Sequence, residues 1–427
     1  MISTQLLQQL KNGGMDARLV ALYGKERLAD ARCRYEKAIN AFTAIYGEER
    51  DLSLFSVSGR SELSGNHTDH NHGCVIAAAI DLDIIAVAAK RNDSTIRLTS
   101  EGFPEDVVDI SAFNAPLPER FSRSDALIAG VCEGFRRAGF SVGGFDAYTT
   151  SSVLKGSGLS SSAAFEDMIG NIENHFYNEG LVENATIAKI AQFAENEFFG
   201  KPCGLMDQMG CGIGGIISID FADPANPKFE KIDFDLTAAG YALCIVDTGG
   251  NHANLTPDYA AIPSEMKAVA AALGKTVLRD VSEEELLEAT PRLRNQVGDR
   301  AILRALHFLG ENRRVAAQKK ALAAGDLDAF FTLVAASGRS SFCYLQNVYS
   351  SANPFEQGLS LALALAEKYL AEKGGVCRVH GGGFAGTVQA YVPLDAVSDF
   401  VAYMDGVFGK GATIPLRIRP EGAIKVM

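Results

Sequence analysis

The sequence predicts an α+β protein built in two halves, and three observations support that prediction. Two short apolar runs, at residues 75–80 and 83–90, indicate buried strands. A strand-like stretch at 145–153 enters a Gly/Ser loop and then a helical pattern from Ser161, and a long helical period covers 299–324. The chain shows no repeat and no low-complexity tract, so the two halves are expected to meet near residues 205–240.

The first half opens with helical periodicity that continues to about residue 50. Leu6 and Leu10, and later Ile39 and Phe42, recur at helical spacing. A strand ending in a glycine turn is predicted at 54–60, and alternation predicts a half-exposed strand at 95–100. Helical patterns return at two ranges, which are 124–139 and 187–199.

The second half mixes helices and strands as well. Strands are predicted at 215–219 and 241–246, with a turn between strands at 221–235. Helical patterns cover three ranges, which are 264–273, 299–324 and 354–372. A strand ending at His380 and a last strand at 386–392 complete the prediction.

Composition excludes several functional classes. The 427 residues are 47% hydrophobic and 22% charged, and the net charge of -12 opposes general binding to nucleic acid or an anionic membrane. The first residues lack a basic start and apolar run typical of a secretory signal, and no apolar stretch is long enough to span a bilayer. The eight cysteines form no C-x-x-C pair, so free thiols in a cytoplasmic protein are expected.

A polar segment at 59–73, GRSELSGNHTDHNHG, lies among apolar strands. Loops on a rigid sheet often carry function, so a ligand site is one interpretation and a solvated loop is another. His67, Asp69, His70 and His72 also have metal-ligand chemistry, which leaves a metallohydrolase site as a third. That third interpretation needs further ligands, and the remaining histidines stand in unrelated contexts.

A second segment, KGSGLSSSAAFE at 155–166, follows a strand and opens a helix. Glycines let successive N–H groups point inward, and the helix N-terminus adds positive potential, so this loop suits a phosphate. The hydroxyls of Ser160, Ser161 and Ser162 can cap the helix or reach a phosphate or Mg²⁺. The G-K-[ST] ending of a Walker A loop is missing, and an ordinary serine-capped helix remains the alternative.

Two further segments carry candidate site residues. The run HGGGFAG at 380–386 has three adjacent glycines, which indicates either a close approach to a ligand or a sharp turn. The segment at 194–210 places Glu195 on a helix and Asp207 in a following loop. Asp207 is interpreted either as a helix cap or as a carboxylate held for chemistry.

In this order, the motifs resemble those of the galactokinase branch of the GHMP kinases. The stretch from Gly59 is similar to the sugar-binding signature G-R-V-N-L-I-G-E-H-T-D-Y-N-G-G, and GLSSSAA at 158–164 matches the phosphate loop. The catalytic segment A-E-x-x-F-x-G-x-x-C-G-x-M-D-Q is matched at 194–208, and G-G-G-F-G-G resembles 381–386 with Ala385 in place of a glycine. The resemblance spans residue 42 to the C-terminus.

The resemblance implies the GHMP kinase fold, with a ribosomal protein S5-like N-terminal domain, a ferredoxin-like C-terminal domain and the active site between them. The domains are then expected at residues 36–220 and 221–427, after a helical extension at 1–35. The implied activity is transfer of the ATP γ-phosphate to the anomeric hydroxyl of a galactose-like sugar, with Mg²⁺. The expected partners are that small-molecule sugar, no nucleic acid and no membrane, in a cytoplasmic monomer or weak homodimer.

Residue roles also follow from the resemblance. Arg60 and Asp207 are the expected catalytic residues, Arg60 for phosphoryl charge and Asp207 to face the anomeric hydroxyl as base or orienting group. Ser161 and Glu195 are the expected Mg²⁺ ligands. The expected sugar contacts are Asn66, His67, Asp69, Gly204 and Tyr259. The expected ATP-binding residues are Lys155, Gly156, Ser157, Gly158, Leu159, Ser160, Ser161, Ser162 and Ala163.

Two departures from the family signature bear on the choice of sugar. Asn66 replaces the family's Glu, which contacts outer hydroxyls of the sugar in galactokinases, and His70 replaces its Tyr. A neutral amide removes repulsion against a carboxylate and can donate as well as accept, and plant galacturonokinases resemble this chain in both respects. The sequence therefore leaves galactose, galacturonate or another sugar open, and predicts that Asn66→Glu raises preference for galactose over galacturonate. A non-catalytic sugar and ATP sensor is a further alternative, although the phosphate loop is intact.

Overall fold

The computed structural model describes residues 1–153, 158–250 and 255–427, and within them the strands form two sheets. The strands are β1 (Leu52–Ser64), β2 (Cys74–Lys90), β3 (Thr95–Ser100), β4 (Asp106–Asp109), β5 (Phe145–Ser151), β6 (Ile216–Asp220), β7 (Lys228–Ile232), β8 (Tyr241–Asp247), β9 (Val376–Val379), β10 (Thr387–Pro393), β11 (Thr413–Leu416) and β12 (Ile424–Lys425).

The helices surround these sheets, and two of them continue into a π-helical turn. The helices are α1 (Ser3–Lys11), α2 (Asp16–Tyr23), α3 (Leu28–Tyr46), α4 (Ser124–Arg137), α5 (Ser161–Tyr177), α6 (Asn184–Phe193), α7 (Met206–Ile213), α8 (Thr256–Ala272), α9 (Glu283–Gln296), α10 (Asp299–Ala323), α11 (Leu327–Ser340), α12 (Gly358–Ala371) and α13 (Val397–Phe408). The π-helical turns are Ala194–Phe198 after α6 and Ser341–Leu345 after α11.

The first sheet is organised around the long β1–β2 hairpin. Its strand order is β12-β1-β2-β5-β3-β4, and β6 extends it from the first residues of β2, with β7 outside β6. The β1–β2 register shifts between Ser58 and Arg60 and again between Glu62 and Ser64. Such irregularities bend a strand and redirect its side chains, and here they fall where β1 carries its charged residues.

Strand β2 is buried on both faces, and its alternation divides the core into two layers. Ile85, Val87 and Ala89 face a cluster formed with the N-terminal helices, whereas Ile84 and Ala86 face the main core beside α4 and α5. Successive side chains of a strand point to opposite faces, so a strand buried on both sides reads as one apolar run. The structure thus has one continuous strand, buried on both faces, where the sequence predicted two strands at 75–80 and 83–90.

Helices α1, α2 and α3 cover the outer face of the first sheet. Leu6 and Leu10 of α1, Leu19 of α2, and Ile39 and Phe42 of α3 are buried in one cluster with residues of β1 and β2. The predicted boundary at residue 35 falls inside α3, so the helical layer is a single unit that does not end there. The N-terminal segment thus supplies a layer of the core.

The second sheet is antiparallel, in the order β11-β8-β10-β9. One face packs against α12 and α13, with Val246 and Val388 against Leu363 and Phe400. The other face contributes to the main core, which continues through α10 and α11 to the first sheet. The sheets therefore share one hydrophobic core.

The division between the halves differs from the predicted one at residue 220. Strand β7 still pairs with β6 in the first sheet, and the second sheet begins only at β8. Strand β12 returns to pair with β1, with Ser56 opposite Ile424. The chain therefore crosses from the first sheet to the second and back.

Several local predictions were wrong or incomplete. Strand β1 continues through Gly59 and Arg60 to Ser64, so no glycine turn ends it at 60. Helices α9, α11 and α13 were missed, and two strands, β11 and β12, follow the predicted last strand. Asp207 lies in the first turn of α7, not in a loop. Within the described residues, no helix has the length and apolarity needed to cross a membrane.

A buried charge cluster joins the N-terminal helices to the sheet. Asp83 of β2 accepts hydrogen bonds from the hydroxyl of Tyr23 at 2.5 Å and from Arg419 at 3.1 Å, and it also pairs with Arg34. Burial raises the pKa of the Asp83 carboxyl, but Arg34 and Arg419 outweigh burial and lower it. Since the side chains of Arg419 and Asp83 are both 0% exposed, each depends on the other for compensation.

We expect Asp83→Ala to lower the free energy of unfolding by about 3–5 kcal/mol, because it leaves Arg419 buried without its anion. Chemical denaturation monitored by circular dichroism measures the change. The matched control is Glu230→Ala, which removes a carboxylate that is 69% exposed and paired with Lys319. The control should cost about 1 kcal/mol or less, and equal losses in the two variants would contradict the role of the cluster.

Candidate active site

A cavity of about 230 Å³ lies where the end of β1, the following turn, the start of α7 and the glycine loop after β9 meet. It brings together most of the residues that the sequence singled out for catalysis and sugar contact. The predicted residues that line it are Arg60, Asn66, His67, Asp69, Gly204 and Asp207. Glu62 and Gly382 line it as well; both lie in segments that the sequence singled out, but neither had been given a role.

Arg60 and Asp207 form the charged pair at one side of this cavity. The Nε and Nη2 atoms of Arg60 donate to Asp207 Oδ1 at 3.0 and 2.7 Å, and Ser160 Oγ donates to Oδ2 at 2.6 Å. The Asp207 side chain remains 35% exposed, towards the cavity. Burial raises the pKa of Asp207, but Arg60 and the Ser160 hydroxyl outweigh it and lower that pKa. Asp207 is therefore an ionised carboxylate that can orient a hydroxyl and accept its proton.

Ser160 supports Asp207 at the cost of local strain. Its backbone is left-handed, with φ 61° and ψ 55°, which is unfavourable for a residue with a Cβ. The predicted capping hydrogen bond to α5 is absent, because the hydroxyl bonds to Asp207 instead. Strain of this kind persists where the surrounding structure imposes it, often at functional sites.

His67 and Asp69 lie on the turn between β1 and β2. His67 Nε2 bonds to the carbonyl of Gly382 at 2.9 Å, and burial lowers the pKa of its imidazole to about 4. The ring is therefore neutral at pH 7, with Nε2–H donating and Nδ1 left to accept a hydrogen bond. The backbone of Gly204 is so close that a Cβ there would lie 2.2 Å from Asp69 Oδ2. Only glycine leaves the Asp69 carboxylate in its place.

The glycine loop after β9 forms the wall beside the turn, to which Asn66 and His67 bond it. A Cβ on Gly383 would lie 2.0 Å from the carbonyl oxygen of Asn347, and Gly383 also has φ 77°, so this position requires glycine. The Tyr259 hydroxyl donates to Gly383 O at 2.8 Å, and its ring packs edge-on against Phe384 at 5.3 Å. Tyr259 thus holds the loop, and it is not among the residues that line the cavity. Its direct sugar contact stays a prediction.

The predicted phosphate loop adjoins the catalytic pair. Lys155, Gly156 and Ser157 lie outside the described residues. Gly158 has φ 72° and its carbonyl contacts Arg60 Nη1, while the carbonyl of Leu159 accepts the Arg60 backbone N–H at 3.2 Å. The described start of this loop is therefore bonded directly to the strand that carries Arg60.

The same loop leads into α5, whose N-terminus faces this region. Ser161 is its first residue, and Ser162 and the buried Ala163 follow in the first turn. The N-terminus of this 17-residue helix presents backbone N–H groups that have no partner within the helix, and it carries positive potential. Such a terminus is suited to an anion such as a phosphate group.

Glu195 lies in the π-helical turn after α6, within an acidic cluster. Its carboxylate accepts hydrogen bonds from Lys201 Nζ at 2.8 Å and from Gln208 Nε2 at 3.0 Å, and Ser162 Oγ lies 3.4 Å away. Gln208 also donates to Glu166 Oε2 at 3.1 Å. Burial and the neighbouring Glu195 raise the pKa of Glu166.

This cluster fits a divalent cation. Glu166 Oε1 and Gln208 Oε1 are buried without a hydrogen-bond partner, and the ammonium group of Lys201 occupies the place of a cation beside Glu195. Within the described part of the chain, no group of three or more His, Cys, Asp and Glu side chains is arranged to hold a metal. Mg²⁺ usually takes one or two carboxylates together with substrate phosphates, which Glu195 and a serine hydroxyl beside the phosphate loop match.

Sequence reasoning missed four features of this site, which are Glu62, the Ser160–Asp207 bond, Lys201 and Gln208. For Glu62 a signal was present. The signature has Asn at the position of Glu62 and Glu at the position of Asn66, so the chain carries the two residue types in exchanged order. Lys201 and Gln208 lie in the catalytic segment, but only the fold shows that they contact Glu195.

Comparison with known proteins identifies the family of the chain. A model of the galactokinase galactose-binding signature matches residues 40–90, and a model of the GHMP kinase N-terminal domain matches residues 126–215. The galactokinase of Streptomyces coelicolor is 33% identical over 84% of this chain and 90% of its own length. The galactokinase of Homo sapiens is 32% identical over 93% of this chain and 96% of its own length.

Solved structures confirm the predicted fold. Lactococcus lactis galactokinase, in a complex with galactose, superposes with a TM-score of 0.75 at 24% identity, covering 90% of this chain and 98% of that one. The mevalonate kinase of Methanococcus jannaschii superposes with a TM-score of 0.60 at 15% identity, covering 86% and 98%. Together with the sequence relatives, these likenesses show that the chain has the GHMP kinase fold, is a sugar kinase and belongs to the galactokinase family.

Proposed function

We propose that this sugar kinase transfers the γ-phosphate of ATP to the anomeric hydroxyl of galactose. The observation that carries the proposal is the Arg60–Asp207 pair, which faces a polar cavity and is bonded to the start of the phosphate loop. Phosphoryl transfer requires positioning and charge stabilisation more than covalent work by the protein. This arrangement supplies both at one point.

In the proposed mechanism, Asp207 orients the anomeric hydroxyl and takes its proton as the sugar oxygen bonds to the γ-phosphorus. The bond from that phosphorus to the β,γ-bridging oxygen breaks, and ADP leaves with this oxygen. Arg60 keeps Asp207 ionised and stabilises the charge on the transferred group. The N-terminus of α5 would hold the phosphates, and Ser161 and Glu195 would hold Mg²⁺. When bound, Mg²⁺ would neutralise phosphate charge. His67 Nδ1 and the carboxylate of Asp69 accept hydrogen bonds from sugar hydroxyls.

The charges around the cavity favour a neutral sugar over a hexuronate. The lining carries three carboxylates, those of Glu62, Asp69 and Asp207. Arg60 pairs with Asp207, and Arg378 pairs with Glu62 from outside the lining, which leaves Asp69 without an arginine partner. The pKa of His67 is lowered by burial to about 4, so this side chain adds no positive charge at pH 7. A galacturonate carboxylate would enter this field against repulsion. The relatives from Streptomyces coelicolor and Homo sapiens are galactokinases, which supports the same choice.

A coupled assay of ADP release with ATP and Mg²⁺ tests the proposal against galactose, galacturonate, N-acetylgalactosamine, arabinose and glucose. We expect galactose to give the highest kcat/KM. Asp207→Asn keeps the shape and removes the base, so kcat should fall about a hundredfold or more. Asp223→Asn, in an exposed loop, is the control and should keep full activity. Turnover of galacturonate alone would show that galacturonate, and not galactose, is the substrate. Binding without turnover of any sugar would identify a sensor.

Gly204→Ala should raise the KM for galactose about tenfold or more, with a smaller effect on kcat. The new methyl group would lie 2.2 Å from Asp69 Oδ2, so the carboxylate must leave its position. The matched control is Gly406→Ala in α13, where an added Cβ meets nothing within 4 Å. A KM that does not change in Gly204→Ala would show that Asp69 does not contact the sugar.

Lys201→Met should lower the Mg²⁺ concentration needed for half-saturation about threefold to tenfold, because the ammonium group no longer competes for Glu195. Calorimetric titration of Mg²⁺ into the protein with a non-hydrolysable ATP analogue measures this without turnover. Lys201→Arg keeps the charge and is the control. Weaker Mg²⁺ binding in Lys201→Met would instead place the ammonium group on the phosphates.

A further inference from the structure

The side chain of Asn66 has no hydrogen-bonding capacity left for a ligand. Its Nδ2 donates both hydrogens inside the protein, to Glu62 Oε1 at 3.1 Å and to Gly381 O at 2.5 Å. Its Oδ1 accepts from Asn347 Nδ2 at 2.8 Å and from Ser341 Oγ at 3.3 Å. An amide offers two donors and two acceptor sites, so all four are used. Asn66 therefore shapes the cavity wall without a free group for the sugar.

Glu62, in contrast, keeps one oxygen available. Oε1 accepts from Asn66 Nδ2 and from Arg378 Nη2 at 2.7 Å, whereas Oε2 accepts no hydrogen bond from any residue in the described part of the chain. Oε2 is also not among the fully enclosed oxygens that lack a partner, and Glu62 lines the cavity. Its second oxygen is thus open to the cavity.

Arg378 holds this carboxylate rigidly. Besides Glu62, its guanidinium donates to Leu63 O at 2.8 Å and to Val379 O at 3.1 Å, and its side chain is 0% exposed. Each of its three nitrogens is therefore engaged within the protein, and Arg378 has no freedom to pair with an anionic ligand. Its charge serves to compensate and orient Glu62.

We propose that Glu62 is the acceptor through which this enzyme recognises one galactose hydroxyl other than the phosphorylated one. Asn66 and Arg378 act as positioning residues for Glu62. The residue types of the sugar signature are exchanged between positions 62 and 66. The cavity wall therefore keeps a carboxylate, but β1 supplies it. This inference rests on the proposed function, because it names the contact that selects the sugar.

The exchange also changes the expected effect of Asn66 on the choice between galactose and galacturonate. A buried carboxylate whose free oxygen faces the cavity accepts a hydroxyl hydrogen and repels a second carboxylate. The loss of an acid at position 66 therefore does not open the cavity to galacturonate. Adding one by Asn66→Glu would set two carboxylates against each other, since the present amide nitrogen lies 3.1 Å from Glu62 Oε1.

Four proteins test the proposal, which are the wild type, Glu62→Asn, Asn66→Glu and the double variant Glu62→Asn/Asn66→Glu. Each is assayed with galactose and with its 2-, 3-, 4- and 6-deoxy analogues, and binding is followed by calorimetry. Glu62→Asn should raise the KM and the Kd for galactose about tenfold to a hundredfold, the range for a hydrogen bond to a charged group. For one of the deoxy analogues, the KM and Kd of Glu62→Asn should lie within about twofold of those of the wild type. That analogue lacks the hydroxyl from which Glu62 accepts its hydrogen bond.

The double variant keeps the design testable if Glu62→Asn unfolds by leaving Arg378 without an anion. It restores one carboxylate beside Arg378, so its KM for galactose and its melting temperature should both lie nearer the wild type than those of either single variant. Glu230→Gln, on an exposed side chain, is the control for loss of charge. The galacturonate-to-galactose ratio of kcat/KM should rise in Glu62→Asn.

The outcomes separate this inference from the proposed function. If the wild type neither binds nor phosphorylates galactose, the proposed function fails. If the wild type does both, but Glu62→Asn loses the same factor with galactose and with every deoxy analogue, the proposed function stands and Glu62 has only a structural role. A double variant no better than Glu62→Asn would also overturn the exchange of positions.

Discussion

The ion pair between Glu62 on β1 and Arg378 on β9 is the contact on which the geometry of the site depends, because it joins the two sheets behind the cavity wall. Neither charge is exposed by more than 5%, so separating the sheets would leave both without compensation. Gln389 of β10 adds hydrogen bonds to Ser61 Oγ and Glu62 O at 2.8 and 2.9 Å. The wall of the cavity and the joint between the sheets are therefore the same structure.

A second ion pair on the same strand holds the carboxylate that is proposed to act on the sugar hydroxyl. Arg60 is two residues before Glu62, and its partner Asp207 comes from α7 in the first turn of that helix. The two pairs have opposite order, since β1 supplies the cation in one and the anion in the other. The charges on β1 itself thus balance, and each neighbouring element is fixed by the charge that it must match.

Much of the site was predictable because its residue types and their order are confined to short segments. The loop at 158–163, Arg60, His67, Asp69 and Asp207 lie together as the motifs indicated. The hydrogen bonds of Asn66 were not predictable, because three of its four side-chain partners are residues 341, 347 and 381, far away in the chain. A motif shows which groups are present, and only the fold shows which of them are already used.

The same distinction applies to the fold. The α+β class and the buried strands followed from apolar patterning, whereas α9 and α11 were missed. Helix α9 has few buried residues, Leu286 and Leu293, so its apolar period is weak and its helical state depends on tertiary packing. Strand β2 was divided in two because Asp81 and Asp83 interrupt its apolar run, and both are buried against arginines that lie far away in sequence.

The pairing of β12 with β1 has a consequence for biosynthesis. Strand β1 carries Arg60 and Glu62, yet its outer edge pairs with residues 424–427, which the ribosome adds long after β1 itself. Until then an unpaired strand edge stays open, and such edges recruit other chains. Pairing over so long a sequence separation is also slow to form. During synthesis, chaperone binding at the open edge of β1 therefore competes with aggregation. A truncated chain that lacks the pairing residues would keep this edge open permanently.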